Sequence, residues 1–354
     1  MHPFVSDPGN WPPNWIDDLP TAIRLSRRVA DADPDGSPTV DLVYPTALDP
    51  PPRRLAFLAG SFNPPHAAHL AMARAALDAG LDRLLFALSK RTVDKATVTG
   101  LGLADRLLLL RRIAWLASPA ANERRSPLGV ALVNRGLYVD EAETFRQAWP
   151  DLDELAVVLG FDKIVQVFDP RYYDDRDAAL ERLFALATVY VAPRAGADSS
   201  DLAALLDRPE NQRFADRVRT LPMPSDLALV SSSEVRQAGG ALVGLPPTVA
   251  EFLHHTRAFA PPEVRADGEV VDAYAVRLAL LDAFARSPLP APSAEPRLLD
   301  LALSDTPPGR ALRAWLANPT GDLLGALPDL SIGQGNGQGN GQGNGQGNGQ
   351  GNAP

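Results

Sequence analysis

The sequence contains no cysteine, and this excludes disulfide bonds, thiolate nucleophiles and cysteine metal sites. It also has no excess of positive charge, because 34 lysines and arginines face 43 aspartates and glutamates, for a net charge of −9. An acidic chain does not supply the basic face that nucleic acid requires, so we expect no nucleic-acid partner. No window approaches the roughly 18 uncharged apolar residues of a spanning helix, and the first residues carry no basic and apolar leader. We therefore expect a cytoplasmic protein with no membrane partner.

The apolar residues of the central part follow two alternating patterns. With 354 residues and 45% hydrophobic content, the chain can bury one large core. The predicted strands are 54–59, 83–88, 154–160 and 187–192, and the predicted helices are 68–79, 103–117, 140–148 and 176–186. Strands that alternate with helices are typical of βαβ units, so we predict an α/β fold with a parallel sheet. In such a sheet, ligands bind beyond the carboxyl ends of the strands.

We divide the chain into a central domain, residues 53–262, and flanking segments. Residues 1–52 are rich in proline and aspartate and are predicted to form an N-terminal arm with one helix, near 21–32, and one strand, at 40–44. Residues 263–330 are predicted to form a small helical extension. Its apolar segments fit either self-association into a homo-oligomer or packing back onto the core of the same chain.

The last segment, 331–354, has a different composition. The tetrapeptide Gly-Gln-Gly-Asn occurs five times in succession from residue 333 to residue 352. This repeat offers no apolar side chain to bury, so we predict a disordered tail.

Residues 60–69 read Gly-Ser-Phe-Asn-Pro-Pro-His-Ala-Ala-His and contain two of the five histidines, His66 and His69. They follow a predicted strand and open a predicted helix, and the free N–H groups of a helix start favour an anion. A zinc site would need further ligands, and only three other histidines and no cysteine are present. Taken alone, the pair fits either phosphate contacts or two structural histidines beside a proline turn.

Two further segments fit a nucleotide site. Residues 230–236 read Val-Ser-Ser-Ser-Glu-Val-Arg. Their hydroxyls either cap a helix or, together with the arginine, bind phosphate oxygens. Residues 160–162, Gly-Phe-Asp, end a predicted strand; the aspartate either caps a helix or accepts ribose hydroxyls.

In order and spacing, these segments together with Val-Ala-Pro-Arg-Ala-Gly at 191–196 resemble the nicotinamide/nicotinate mononucleotide adenylyltransferases. The first and last resemble the His-x-x-His and Ile-Ser-Ser-Thr-x-Ile-Arg signatures of that superfamily. The resemblance covers residues 53–260. The stretch 160–173, with Asp94 and Lys95 upstream, looks closest to a divergent cytosolic branch known from fungi. The resemblance implies a Rossmann-like nucleotidyltransferase fold.

The resemblance also implies roles for individual residues. The residues expected to act in catalysis are His66, His69 and Arg236. Those expected to bind ATP are Gly60, Ser61, Phe62, Gly160, Asp162, Ser231, Ser232 and Ser233. Those expected to bind the mononucleotide are Lys95, Thr144, Tyr172, Tyr173 and Arg194. Many relatives stack a tryptophan on the pyridine ring, whereas this chain offers the two tyrosines, and its sequence does not decide between them.

The implied reaction is adenylyl transfer from ATP to nicotinamide or nicotinate mononucleotide, with Mg²⁺ held mainly by substrate phosphates and no protein metal site. The implied partners are thus ATP and a pyridine mononucleotide. Two alternatives stay open. One is another nucleotidyltransferase with the same signatures, a pantetheine-phosphate adenylyltransferase or a cytidylyltransferase. The other is a non-catalytic nucleotide-binding regulator.

Overall fold

The structure is a computed structural model. It describes residues 16, 18–91, 100–119, 123–193, 199–224, 227, 244–286 and 297–318. The strands are β1 (Val40–Tyr44), β2 (Arg54–Ala59), β3 (Arg83–Ser89), β4 (Leu128–Val133), β5 (Glu154–Gly160), β6 (Thr188–Ala192), β7 (Val218–Thr220), β8 (Glu263–Val264) and β9 (Val270–Val271). The helices are α1 (Leu19–Asp31), α2 (Ala67–Asp78), α3 (Leu103–Leu116), α4 (Tyr138–Ala148), α5 (Phe161–Val167), α6 (Arg176–Leu186), α7 (Ser199–Leu206), α8 (Pro247–Thr256), α9 (Ala273–Arg286), α10 (Arg297–Leu303) and α11 (Pro307–Ala317).

Seven strands form the main sheet in the order β1-β4-β3-β2-β5-β6-β7. The pairs from β4 to β7 are parallel, and β1 is antiparallel to β4. From β2 the chain first builds outward through β3 and β4, then returns to place β5 on the other side of β2. The order of strands therefore reverses between β2 and β5, and this is the position at which doubly wound sheets bind their ligands.

Helices cover both faces of the sheet, so the central strands are buried on both sides. In β2, Ala56 and Leu58 join a core with α2, α3 and α8, whereas Leu55 and Phe57 join a core with α4, α5 and α6. Burial on both faces is why these strands are continuous apolar runs and do not alternate with polar residues.

The N-terminal and C-terminal helices share a third core. Apolar side chains of α1, α9, α10 and α11 pack together, and Leu19, Ile23, Leu280 and Leu312 are among its buried members. The helical extension thus packs back onto its own chain, which was one of the two arrangements expected from the sequence.

A buried ion pair connects this extension to the main core. Asp105 of α3 and Arg277 of α9 are both 0% exposed. Their side chains lie 2.8 Å apart, and the hydroxyl of Tyr274 donates to the same carboxylate at 2.9 Å. Arg277 also donates to the carbonyl oxygen of Ile16 at 3.1 Å, so one guanidinium ties α9 to α3 and to the N-terminal segment.

The predicted fold class, an α/β parallel sheet with a small helical C-terminal extension, is confirmed. In the described part of the chain, no helix is both long and apolar enough to cross a bilayer. The predicted disordered tail, 331–354, lies outside the described residues.

Candidate active site

The turn after β2 is a fixed, strained piece of backbone. Phe62 has a φ of 45°, in the left-handed region that residues with a side chain rarely adopt. Its ring is fully buried and makes edge contacts with Phe86 at 5.6 Å and His69 at 4.9 Å between centroids. A Cβ on Gly60 would lie 3.0 Å from this ring, which explains why the turn begins with glycine. The buried phenyl ring thus holds the turn in its strained conformation.

The two histidines meet at the start of α2. Their rings are stacked with centroids 3.7 Å apart, and the backbone N–H of His66 donates to Nδ1 of His69 at 3.1 Å. In a neutral imidazole whose Nδ1 accepts, Nε2 carries the hydrogen, so His69 can donate a hydrogen bond to a phosphate oxygen. The pair therefore sits where an anion is favoured, at a helix N-terminus, with a donor on its side chain.

Polar contacts with residues around the start of α3 also support the turn. Asn63 is buried, and its Oδ1 accepts the backbone N–H of Leu101 at 2.8 Å. The buried Arg106 donates to the carbonyl oxygens of Leu101 at 2.6 Å and Ser61 at 3.3 Å. The residues that precede α3 and the first turn of that helix thus hold the backbone of the Ser61–Asn63 stretch.

The Gly-x-Asp segment lies beside this turn. Leu58 of β2 is opposite Val158 of β5 in a parallel pair, so the segments that follow the two strands leave the same edge of the sheet together. Gly160 is the N-cap of α5, and Asp162 is an exposed residue of its first turn. The structure therefore brings Gly60, Ser61, Phe62, His66, His69, Gly160 and Asp162 to one edge, at the point where the strand order reverses.

A cavity of about 160 Å³ opens next to the turn. Its walls come from the ends of β2 and β3, the start of α4, and α5 with the residues after it. The lining residues are Ala59, Gly60, Ser61, Ser89, Arg91, Gly136, Leu137, Tyr138, Glu141, Lys163, Gln166, Val167, Tyr172 and Tyr173.

Both tyrosines expected at the mononucleotide site line this cavity. Tyr173 is anchored, because its hydroxyl donates to the carbonyl oxygen of Val167 at 2.9 Å and its ring packs against the core. Burial raises the pKa of Tyr173 to about 12, so this hydroxyl keeps its proton at neutral pH. Tyr172 is the last residue of the short 3₁₀ turn Pro170–Tyr172.

Glu141 is the acidic residue of the cavity wall. It is 2% exposed, and among the described residues no group hydrogen-bonds to its Oε2. Burial, with a smaller contribution from the neighbouring charge of Asp140, raises its pKa well above the ordinary value. A buried carboxyl oxygen without a partner inside a cavity is in position to bind a ligand.

The cations of the cavity have partners of their own. Arg91 pairs with Asp35 of the N-terminal arm at 2.6 Å, and its side chain is largely exposed. Lys163 donates to the amide oxygen of Gln166 at 2.7 Å. Both can still offer further hydrogen bonds, because a guanidinium has five donors and an ammonium group has three.

The remaining predicted residues lie elsewhere or outside the described part. Thr144 is buried, donates to the carbonyl oxygen of Asp140 at 2.8 Å within α4, and is not among the residues that line the cavity. The residues that lie outside the described part are Lys95, Arg194, Ser231, Ser232, Ser233 and Arg236. The last four precede Gly244, whose carbonyl oxygen accepts the N–H of Ala67 at the start of α2 at 2.8 Å.

Sequence reasoning missed Ser89, Arg91, Glu141 and Lys163. Ser89 and Arg91 follow a predicted strand at its carboxyl end, a position that signals a ligand contact. Glu141 lies four residues before the buried Phe145 in the predicted helix 140–148, so it falls on the apolar face of that helix. An acidic residue on a buried face is the signal that could have revealed it.

A family model described as cytidylyltransferase-like matches residues 57–238, about half of the chain. The chain belongs to the cytidylyltransferase-like family. The matched segment includes the turn after β2, the histidine pair, the cavity wall and the Gly-x-Asp segment of this family member.

Three relatives illustrate the similarity of this cytidylyltransferase-like chain to named proteins. One, from Schizosaccharomyces pombe, is named "Putative nicotinamide mononucleotide adenylyltransferase" and is 24% identical over 214 residues, 57% of this chain and 82% of the relative. Two others are named "Probable nicotinate-nucleotide adenylyltransferase". The protein from Solibacter usitatus is 30% identical over 208 residues, 57% of this chain and 98% of its own length. That from Synechococcus sp. strain JA-3-3Ab is 28% identical over 220 residues, 60% of this chain and 98% of its own length. The resemblance inferred from the motifs is confirmed, including that to a fungal protein.

Within the described ranges, no group of three or more histidine, aspartate or glutamate side chains is arranged to hold a metal ion. Asp162 is an exposed single carboxylate at the sheet edge. One carboxylate fits Mg²⁺ in nucleotide sites, where phosphates and water supply most ligands.

Proposed function

We propose that this protein transfers the adenylyl group of ATP to a pyridine mononucleotide and releases pyrophosphate. The observation that carries the proposal is that a helix start suited to phosphate and a cavity adjoin the same turn at one edge of the sheet. The stacked pair His66 and His69 opens α2 beside the Gly-x-Asp segment, and a cavity lined by aromatic and polar side chains adjoins the same turn. The names of the relatives in the same family support this choice.

The reaction requires positioning and charge neutralisation and needs no protein nucleophile. An oxygen of the mononucleotide phosphate attacks the α-phosphorus of ATP. A new P–O bond forms there, and the bond to the bridging oxygen of the β-phosphate breaks, so pyrophosphate leaves. Donors that touch phosphate oxygens stabilise the charge that develops in this transition state.

We assign the phosphate end of ATP to His66, His69 and the start of α2. Ser231, Ser232, Ser233 and Arg236 complete this site in the proposal, as hydroxyl and guanidinium donors for the phosphates that become pyrophosphate. Gly60, Ser61 and Phe62 shape the cleft through their backbone. Gly160 and Asp162 are assigned to a ribose.

We assign the cavity to the mononucleotide. Tyr172 and Tyr173 supply an aromatic wall for the pyridine ring, and stacking on tyrosine also favours the positive charge of that ring. Lys163 and Arg91 are added to Lys95 and Arg194 as cations for the mononucleotide phosphate. Thr144 stays a predicted contact, but its hydroxyl already has a partner inside α4.

Mg²⁺, held mainly by the phosphates of ATP, would supply positive charge there, and Asp162 is a described carboxylate that could add a direct or water-mediated ligand. A cytoplasmic location and the division into arm, central domain, extension and tail remain predictions of the sequence. Homo-oligomer formation likewise remains a prediction, and light scattering of the purified protein measures it.

The test is an assay of the purified protein with Mg-ATP and, separately, nicotinamide and nicotinate mononucleotide, with chromatography of the products. The proposal predicts a dinucleotide and an equal amount of pyrophosphate. Transfer only to phosphopantetheine would identify a pantetheine-phosphate adenylyltransferase. Pyrophosphate release only with CTP and a phosphorylated alcohol would identify a cytidylyltransferase. Either result would contradict the pyridine mononucleotide as acceptor. ATP binding without transfer to any acceptor would identify a non-catalytic nucleotide-binding protein and contradict the proposal.

A further inference from the structure

The wall of the cavity contains a group that the proposed reaction does not use. Glu141 is buried, lines the cavity and has one oxygen, Oε2, with no hydrogen-bond partner in the described part of the chain. Leaving a buried polar group unsatisfied costs about 1–3 kcal/mol. This arrangement is explained if a ligand donates a hydrogen bond to Glu141.

The surroundings of Glu141 narrow the chemistry of that ligand. The aromatic side chains of Tyr138, Tyr172 and Tyr173 line the same cavity, and a flat aromatic ligand packs well between such groups. The cations of the cavity, Arg91 and Lys163, suit a phosphate. A ligand with an aromatic ring, a hydrogen-bond donor and a phosphate therefore matches the wall in all three respects.

We propose that Glu141 binds the carboxamide of nicotinamide mononucleotide and makes this protein select the amide over the acid. The inference rests on the proposed function, which leaves the acceptor open between the two. The amide N–H₂ donates to an oxygen of Glu141, whether that side chain is ionised or protonated, because both forms keep an acceptor oxygen.

The acid lacks this donor. The carboxylate of nicotinate mononucleotide presents only acceptor oxygens, so it repels the ionised form of Glu141 and can pair only with the protonated form, whereas the amide pairs with both. The rings also differ in net charge, since the pyridinium of the amide is positive, whereas the carboxylate of the acid cancels that charge. Both differences make the acid the poorer ligand. The relatives in the family are named for either acceptor, so family membership alone does not decide the question.

The test compares wild type, Glu141→Gln and a matched control, Glu143→Gln. Glu143 is in the same helix and pairs with Arg182, and it does not line the cavity. The measurement is kcat/KM for each mononucleotide at fixed, saturating Mg-ATP. We expect wild type to prefer the amide by about tenfold or more, since a site with a buried polar partner rejects an analogue that cannot pair with it.

Glutamine at 141 offers both an oxygen and an N–H₂ group, so it can accept from the amide or donate to the acid. We expect this variant to lower the ratio of the two kcat/KM values by about tenfold, through KM for the mononucleotide, with KM for ATP unchanged. The Glu143→Gln control should keep the wild-type ratio. An unchanged ratio in Glu141→Gln, or a wild-type preference for the acid, overturns the inference.

A binding measurement keeps the inference testable if Glu141→Gln does not fold. Calorimetric titration of the wild-type protein with each mononucleotide should give a dissociation constant about tenfold lower for the amide. Equal affinities overturn the inference. Failure of the proposed function has a different signature, because then neither mononucleotide yields a dinucleotide, although the binding preference can still be measured.

Discussion

Two carboxylates are buried in the described part of the molecule, and their surroundings are opposite. Asp105 lies between the main core and the helical extension, where Arg277 and Tyr274 both contact it. Glu141 lies in the cavity wall, where its Oε2 has no hydrogen-bond partner among the described residues. Burial of a charge is tolerated when partners compensate for lost hydration. We infer that the partners of Asp105 come from the fold, whereas the partner of Glu141 comes from a ligand.

The comparison extends to the regions around the two groups. Around Asp105, the contacts connect α3, α9 and the N-terminal segment, so this region depends on residues far apart in sequence. Around Glu141, strand ends and helix starts converge on a cavity at the edge of the sheet. Substitutions in the first region should therefore change stability, and those in the second should change substrate use.

The largest effect is expected from loss of the buried ion pair between Asp105 and Arg277. Arg277→Met leaves the carboxylate of Asp105 buried without its cation, and removal of one partner from a buried ion pair costs about 3–5 kcal/mol. The free energy of unfolding, measured by urea titration, should fall by that amount. Arg286→Met is the matched control in the same helix, because Arg286 is 70% exposed and pairs with Asp282 at the surface, so its loss should be below about 1 kcal/mol. Equal losses in the two variants would contradict the structural role of Arg277.

The next effect concerns the histidine pair of the cleft. His69→Ala removes a donor to the phosphates, and we expect kcat to fall by about 100-fold or more while the protein stays folded. The stability loss should be about 1 kcal/mol, because His69 also accepts the N–H of His66 at the start of α2. His254→Ala, an exposed histidine of α8, is the control and should leave kcat unchanged. Steady-state rates with circular dichroism spectra check both variants, and full activity of His69→Ala would exclude the phosphate role.

A smaller effect separates the two tyrosines. Tyr172→Ala removes an aromatic side chain from the cavity wall, so KM for the mononucleotide should rise by about tenfold while KM for ATP stays the same. Tyr173→Phe keeps the ring and loses only the part-buried hydrogen bond to Val167, which does not involve the ligand, so KM should change by less than about threefold. A small effect of Tyr172→Ala would contradict stacking on Tyr172, and a large effect of Tyr173→Phe would assign a ligand contact to the hydroxyl of Tyr173.

The pH dependence of stability gives the smallest effect. The pKa of Glu141 is raised by burial above its ordinary value of 4.5, so the folded state holds a proton that the unfolded chain has released. Stability must therefore fall as pH rises through this window, by up to about 1.4 kcal/mol per pH unit, and the penalty is absent below the ordinary pKa. Glu141→Gln removes the ionisation, so its advantage over wild type should grow with pH in urea titrations from pH 4.5 upward. A difference that does not change with pH would show that Glu141 has an ordinary pKa.

Much of the fold follows from local sequence patterns. The four predicted strands and four predicted helices of the central domain correspond to elements of the structure within about two residues at each end. Long apolar runs between turn residues give strong signals, because strands buried on both faces contain few polar residues. The strand β4 was not predicted, and neither was β7, whose three residues are partly or fully exposed. Its sequence gives no apolar signal, and only pairing with β6 makes it a strand.

The site could be predicted in part. The motifs identified the turn after β2 and the Gly-x-Asp segment, because both depend on residues that are close in sequence. Glu141 and Lys163 were not assigned, since their role depends on how α4 and α5 pack around a cavity, and local patterns do not encode that arrangement. The contact between Arg277 and Asp105 is likewise invisible in sequence, because 172 residues separate the two groups.

The most direct test is the shift in thermal midpoint that a fixed, saturating concentration of nicotinamide mononucleotide produces in wild type, Arg277→Met and Glu141→Leu, a variant that has no acceptor oxygen for the amide. Binding to the folded state alone raises stability according to the ligand concentration relative to Kd. The account predicts the same upward shift in wild type and Arg277→Met, although the latter starts from a lower midpoint, and a much smaller shift in Glu141→Leu. A full shift in Glu141→Leu, or its loss in Arg277→Met, would contradict the assignment of one buried carboxylate to the ligand and the other to the fold.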